Sequence, residues 1–238
     1  MQTDTEDNMK RVWLAALGYW IIVSILVCCF SPALKGDGIA RYIPMADAFA
    51  RGEWELAFHP RFGFFFSAVA GLICKFTPLN GMMACQTTAF GMLALSGVAA
   101  WWFVRRVFEN VTVAWIVFFL VVFAPIYTWP AALGYRDSGR TLALALIACG
   151  MVGEKNFLLG LGIFILTSLR ADSWLVATAI TGIWTIFCLV KHQWRKAILP
   201  GCGWLAGTMC VVTMTWLFFG YWLPSTQYIR QYIKYFGA

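Results

Sequence analysis

Four short polar segments hold most of the side chains in this sequence that are able to do chemistry. Asp37 and Arg41 stand in the first, and His59-Pro60-Arg61 forms the second. Tyr135-Arg136-Asp137-Ser138-Gly139-Arg140 is the third and Arg170-Ala171-Asp172 the fourth. Arginine grips phosphate oxygens with a planar fork of donors. A carboxylate set among such cations stays ionised, because opposite charge favours its charged form. It can then serve as general base for an incoming hydroxyl or hold a divalent cation through its oxygens. A phosphate leaving group, a cationic cradle and a carboxylate base together suit transfer of a sugar from a lipid phosphate. Three of the segments also have a plainer reading. Asp37-Gly38 reads as a turn, Asp137 as a span-end partner of Arg136 or Arg140, and Arg170 with Asp172 as a structural pair.

The elements that must position these residues are apolar helices. Of the 238 residues 61% are hydrophobic and 12% charged, and mean hydropathy is +0.72. A soluble domain is about 45–50% apolar and roughly 25% charged, so this chain lacks the polar residues to coat a water-facing exterior. Its apolar runs are continuous rather than alternating, which disfavours barrel strands, and in lipid a helix satisfies its own backbone. The fold class expected is all-α and polytopic. The eight cysteines fall in or beside apolar runs without a CxxC pair and read as packing residues. No basic run exceeds two residues, so nucleic acid is not an expected partner; membrane lipids are the expected counter-ions for the net charge of +7.

Along the chain, residues 1–10 are a polar cytoplasmic tail, and the apolar run to Phe30 is a retained first span rather than a signal peptide. The outer loop 31–81 carries apolar residues at 39, 42, 43, 46, 49 and 50, the spacing of an amphipathic surface helix. Residues 61–77 are too short an apolar run for a comfortable crossing and are placed at the surface. Later spans are expected at 82–104, 111–128, 138–153, 157–169, 173–190 and 198–222, giving about seven in a core over 11–222, with 223–238 at the outer face. Arg105-Arg106, Glu154-Lys155 and the cluster 191–196 then join Lys10-Arg11 inside, in line with the positive-inside bias. The raw count runs the other way, with eight Lys/Arg inside and ten outside. Many of those outside ones lie in the four polar segments, which this topology gathers on one face.

Three stretches resemble the GT-C glycosyltransferases, especially the protein mannosyltransferase and lipid A aminoarabinose transferase group. Asp37-Gly38 leads into Arg41-Tyr42, Ala46, Ala50-Arg51-Gly52 and then His59-Pro60, similar to that group's first loop. Trp101–Phe108, an apolar span ending near Pro125, and Arg136-Asp137 look like its second acidic loop. Leu223-Pro224-Ser225-Thr226 is similar to a Leu-Pro-Asn-Thr segment of some members. The resemblance implies seven spans with two short surface helices in the first loop. It implies Asp37 as general base and Asp137 as the second acid. Arg41, His59, Arg61, Arg136, Arg140 and Arg170 become candidates for the phosphate and sugar of a polyprenyl-phosphate donor. No metal ligands are assigned and no cofactor is required, since many members are metal-independent, although the carboxylates could take a divalent cation.

The chain departs from the family at Gly38, where many members have a second acid, and at Arg61, where a second proline is usual. Family enzymes also carry further spans or an outer domain, so a partner subunit supplying a C-terminal portion is an expectation. The location implied is a bacterial inner membrane with the site facing the periplasm. Two readings from other classes stand beside this one: a non-catalytic membrane subunit, and a component of a lipid-linked-substrate transporter or flippase.

Overall fold

A computed structural model describes residues 2–30, 41–58, 63–169 and 171–220. The described residues are helical almost throughout. The chain runs α1 (Gln2–Cys29), α2 (Ile43–Arg51), α3 (Trp54–Ala57), α4 (Phe65–Phe76), α5 (Gly81–Phe108) and α6 (Val111–Phe123). It continues through α7 (Pro125–Ala132), α8 (Asp137–Val152), α9 (Asn156–Leu169), α10 (Ala171–Val190) and α11 (Arg195–Phe219). Among the described residues five segments are long and apolar enough to cross a membrane: Asp7–Val27, Gly81–Phe108, Val111–Ala132, Ser173–Val190 and Arg195–Phe218. α8 and α9, at 16 and 14 residues, are shorter.

Helix α5 is the axis of the first half. Its apolar window is 67% buried, against 17% for Val111–Ala132 and 11% for Arg195–Phe218, so α5 is wrapped by protein and the others present broad apolar faces outward. Small residues make this possible. A Cβ at Gly97 would stand 2.7 Å from Val122 and 3.0 Å from Phe118, so α5 and α6 pack at close range, as small-residue contacts permit in lipid. Tyr19 of α1 closes the group by donating to the Val122 carbonyl at 2.6 Å.

In the second half α9 takes the axial place, packed on α8, α10 and α11. Side chains at Gly160 and Gly203 are both precluded. A Cβ on Gly203 would collide with the Gly160 carbonyl, and one on Gly160 would meet the Leu199 carbonyl at 2.7 Å. The single Gly-x-x-x-Gly of the sequence, Gly203 to Gly207, is thus the α11 side of a backbone-on-backbone crossing. Pro200, inside α11, has no N–H for the Lys196 carbonyl; Trp184 Nε1 donates to that oxygen at 3.4 Å.

Three local outcomes differ from the sequence expectation. Spacing alone reads as one surface helix across Ile39–Phe58, whereas the resemblance implies two; two short helices form, because Gly52 sits at φ 78° and ends α2, and Pro44 falls in its first turn, where proline is tolerated. The span expected at 111–128 reaches Ala132 and breaks at Ala124, extended at ψ 130° ahead of Pro125. Helix α1 begins at Gln2, within the stretch read as a polar tail, where no glycine or proline interrupts it.

Both α4 and α5 start at the same end of the bundle. Phe64 N–H donates to the Ser168 carbonyl at 3.1 Å, near the C-terminus of α9. Gln86, one turn into α5, donates to the Ala132 carbonyl at 2.7 Å. Ala132 leads into Arg136, which reaches the Leu169 carbonyl at 3.4 Å.

Candidate functional site

The site is built where α5, α7, α8 and α9 share that end. Gly134 adopts φ +67°, a left-handed turn that suits glycine, and packs its backbone on Cys85 and Gln86 of α5. The turn delivers Arg136 and Asp137 to the start of α8. Arg136 is 5% exposed. Its guanidinium lies 5.4 Å from the Tyr42 ring centroid and donates to the Leu169 carbonyl. Tyr42, itself buried, meets Phe66 edge-on at 5.7 Å and Tyr135 at 6.2 Å. One arginine thus ties together the entry to α2, the head of α8 and the tail of α9.

Asp137 is exposed and occupies the first turn of α8, where the helix dipole favours a carboxylate. Arg140 is half-buried and donates to Ser173 Oγ at 3.2 Å, which attaches α8 to α10. Arg41 is half-buried beside Tyr42. Tyr42, Tyr135, Arg136, Arg140 and Ser173 each make interactions beyond these. Ser138 Oγ and Gln86 Oε1 are buried without a hydrogen-bond partner among the described residues, although Gln86 uses its amide nitrogen.

The eight sequence candidates therefore divide. Arg41, Arg136, Asp137 and Arg140 are described, and the last three share one helix start. Asp37, His59, Arg61 and Arg170 lie outside the described residues. Their described chain neighbours do converge: Tyr42 packs under Arg136, a Cβ at Gly63 would strike the Ser168 carbonyl, and Leu169 accepts from Arg136. Among the described residues no group of three His, Cys, Asp or Glu side chains is placed to hold a metal ion.

Sequence reasoning missed Tyr42 and Ser173 as partners of these arginines. A weak signal existed in that Tyr42 follows Arg41 and Ser173 follows the Arg170–Asp172 segment. On the amphipathic stretch between 39 and 58 a charged residue such as Asp47 is expected on the solvated face. In the fold Asp47 is half-buried, and its carboxylate lies so close to Gly81 that any Cβ there would collide with it. The acid faces the positive end of α5, while Asn80 Oδ1 caps the same end by accepting from Met83 N–H at 2.9 Å. Glu53 does lie at the surface. Its hydrogen bonds from Arg51, at 2.7 and 2.9 Å, hold its carboxyl below the ordinary range.

Among the described residues Cys29, Cys74, Cys85, Cys149, Cys188, Cys202 and Cys210 are free, and burial pushes the Cys74 thiol of α4 up, against thiolate formation. Comparison with protein-family models, with curated proteins and with solved structures finds no match to this chain.

Proposed function

We propose that this chain is a GT-C-type glycosyltransferase that moves a sugar from a polyprenyl phosphate to an acceptor hydroxyl. In this reading α8 and α9 also cross, giving seven spans, and the Arg136–Asp137 end faces the periplasm of a bacterial inner membrane. The observation that carries it is the convergence at one bundle end: buried Arg136 joins Tyr42, the start of α8 and Leu169, while exposed Asp137 sits beside it. Ionisable groups within membrane spans default to a functional hypothesis, and this pair stands at the end of an apolar helix.

Asp37 takes the proton of the acceptor hydroxyl. The acceptor oxygen bonds to the anomeric carbon, the bond from that carbon to the phosphate oxygen breaks, and the polyprenyl phosphate leaves. Arg140, Arg41, Arg61 and Arg170 offset the charge that gathers on the phosphate, and His59 and Asp137 orient the sugar and acceptor. Arg136, mostly enclosed by protein, contributes a fixed positive charge and holds the loop in place. The exposed apolar faces of the outer helices give the polyprenyl chain a lipid-continuous path.

The test uses the purified chain in liposomes with a panel of radiolabelled polyprenyl-phosphate sugars, reading polyprenyl phosphate release. Asp37→Asn and Asp137→Asn are expected to lower release by at least about 100-fold and about tenfold respectively, the range for losing a general base and an orienting group. Release undiminished in Asp37→Asn would remove the base assignment. No release from any donor, with tight donor binding retained, would favour the non-catalytic subunit.

A further inference from the structure

The opposite end of the bundle holds a cavity of about 480 Å³ lined by Met9, Trp101, Trp102, Arg105, Arg106, Glu109, Gly153 and Lys155. Its volume lies within the roughly 300–1,000 Å³ of small-molecule sites. Three elements enclose it: the first turns of α1, the last turn of α5 and the turn between α8 and α9. That turn sorts its charges. Glu154, at φ 51°, is taken by the Lys196 ammonium of α11, whereas Lys155 lies with its ammonium 5.2 Å from the Trp102 centroid. A Cβ on Gly153 would collide with the Trp102 ring, so only glycine lets the indole lie against the turn and support Lys155.

The charge balance is decided by magnitude. Arg105, Arg106 and Lys155 bring three positive charges; Glu109 brings one negative charge and the α5 C-terminus about half of one more. The cavity is cationic. Its floor of Met9, Trp101 and Trp102 is apolar, and Val107 and Phe108, 45% and 63% exposed, continue that apolar surface outward at the end of α5. A compact anion carrying an apolar tail matches both halves.

We propose that this cavity is a binding site for the phosphate of an anionic phospholipid headgroup. Its cations hold the phosphate, and its tryptophans hold the glycerol and first methylenes. The site is separate from the transfer chemistry at the other end and does not depend on it.

The full chain in detergent is titrated with phosphatidylglycerol, with phosphatidylcholine of the same acyl chains, and with inorganic phosphate as competitor, and bound lipid is counted by native mass spectrometry. Phosphatidylglycerol is expected to bind at least tenfold more tightly than phosphatidylcholine, with millimolar phosphate unable to displace it. Lys155→Gln, at an exposed position, should weaken phosphatidylglycerol about fivefold, the effect of one cation near a charged headgroup. Arg105→Gln with Arg106→Gln should compound that loss. Gly153→Ala leaves the charge unchanged and should weaken binding by displacing Trp102. Equal binding of the two lipids, or binding indifferent to all of these variants, would overturn the proposal. Full displacement by inorganic phosphate would overturn the lipid as its source and leave a soluble phosphate ester.

Discussion

Removing Arg136 is the sharpest perturbation of the candidate site, and its cost can be worked from the geometry. The guanidinium is nearly enclosed and stands 5.4 Å from the Tyr42 ring centroid, so its cation–π contact is a desolvated one of about 1–2 kcal/mol. Its donation to the Leu169 carbonyl is long, at 3.4 Å; orphaning that acceptor costs the low end of about 1–3 kcal/mol. Arg136 makes further interactions, so Arg136→Gln should destabilise the chain by at least about 2–3 kcal/mol, read by SDS titration in mixed micelles and followed through tryptophan fluorescence. A double-mutant cycle isolates the ring contact. Arg136→Gln and Tyr42→Leu should couple by about 1–2 kcal/mol, and Tyr42→Phe, which keeps the ring, should preserve most of that coupling. A coupling within about 0.3 kcal/mol of zero would refute the claim that Arg136 fastens α2 to α8.

Other predictions rest on separate features. Gly63→Ala should cost about 2 kcal/mol or more in the same titration, because φ +66° disfavours a side chain and a Cβ meets the Ser168 carbonyl. Gly203→Ala should cost about 1–3 kcal/mol by forcing α11 off Gly160. Gly182→Ala, with open space at its Cβ, should be neutral or stabilising by up to about 1 kcal/mol, and equal losses at both glycines would argue against the crossing. Lys196 holds the Glu154 carboxyl below its ordinary value. That depressed native value makes the pair's contribution full above the ordinary carboxylate pKa and loses it as pH falls through the native one. Melting curves of Glu154→Gln and wild type should accordingly converge as the solution is acidified, and divergence would contradict the pairing.

The helix framework was legible because lipid demands length and apolarity, and both can be counted. The starts of α5, α6, α8, α9 and α10 fall within two residues of their expected positions, since Asn80 and Asn110 cap α5 and α6 and polar turns bound the others. Helix α4, at 12 residues, is short as the length of the apolar run leads one to expect. Less legible were features set by single residues acting across the fold. Gly52 splits the amphipathic stretch through one left-handed dihedral, and Pro125 bends a run that reads as continuous. Asp47 looked like solvent-facing charge because its partner, the start of α5, lies 34 positions away in the sequence. The pairing of Arg136 with Tyr42 joins residues whose types, a cation and an aromatic ring, carry no mark of one another in the chain.

The proposed transfer requires the polar segments to gather at one face of the membrane, and sided labelling tests this directly. Single cysteines at 37, 59, 137 and 106 in a background free of the eight native ones are exposed to a membrane-impermeant maleimide in spheroplasts and in inverted vesicles. Labelling of 37, 59 and 137 from the spheroplast exterior, with 106 reached only in inverted vesicles, is the predicted result. Position 137 labelling from the same side as 106, or from the opposite side to 37, would contradict it.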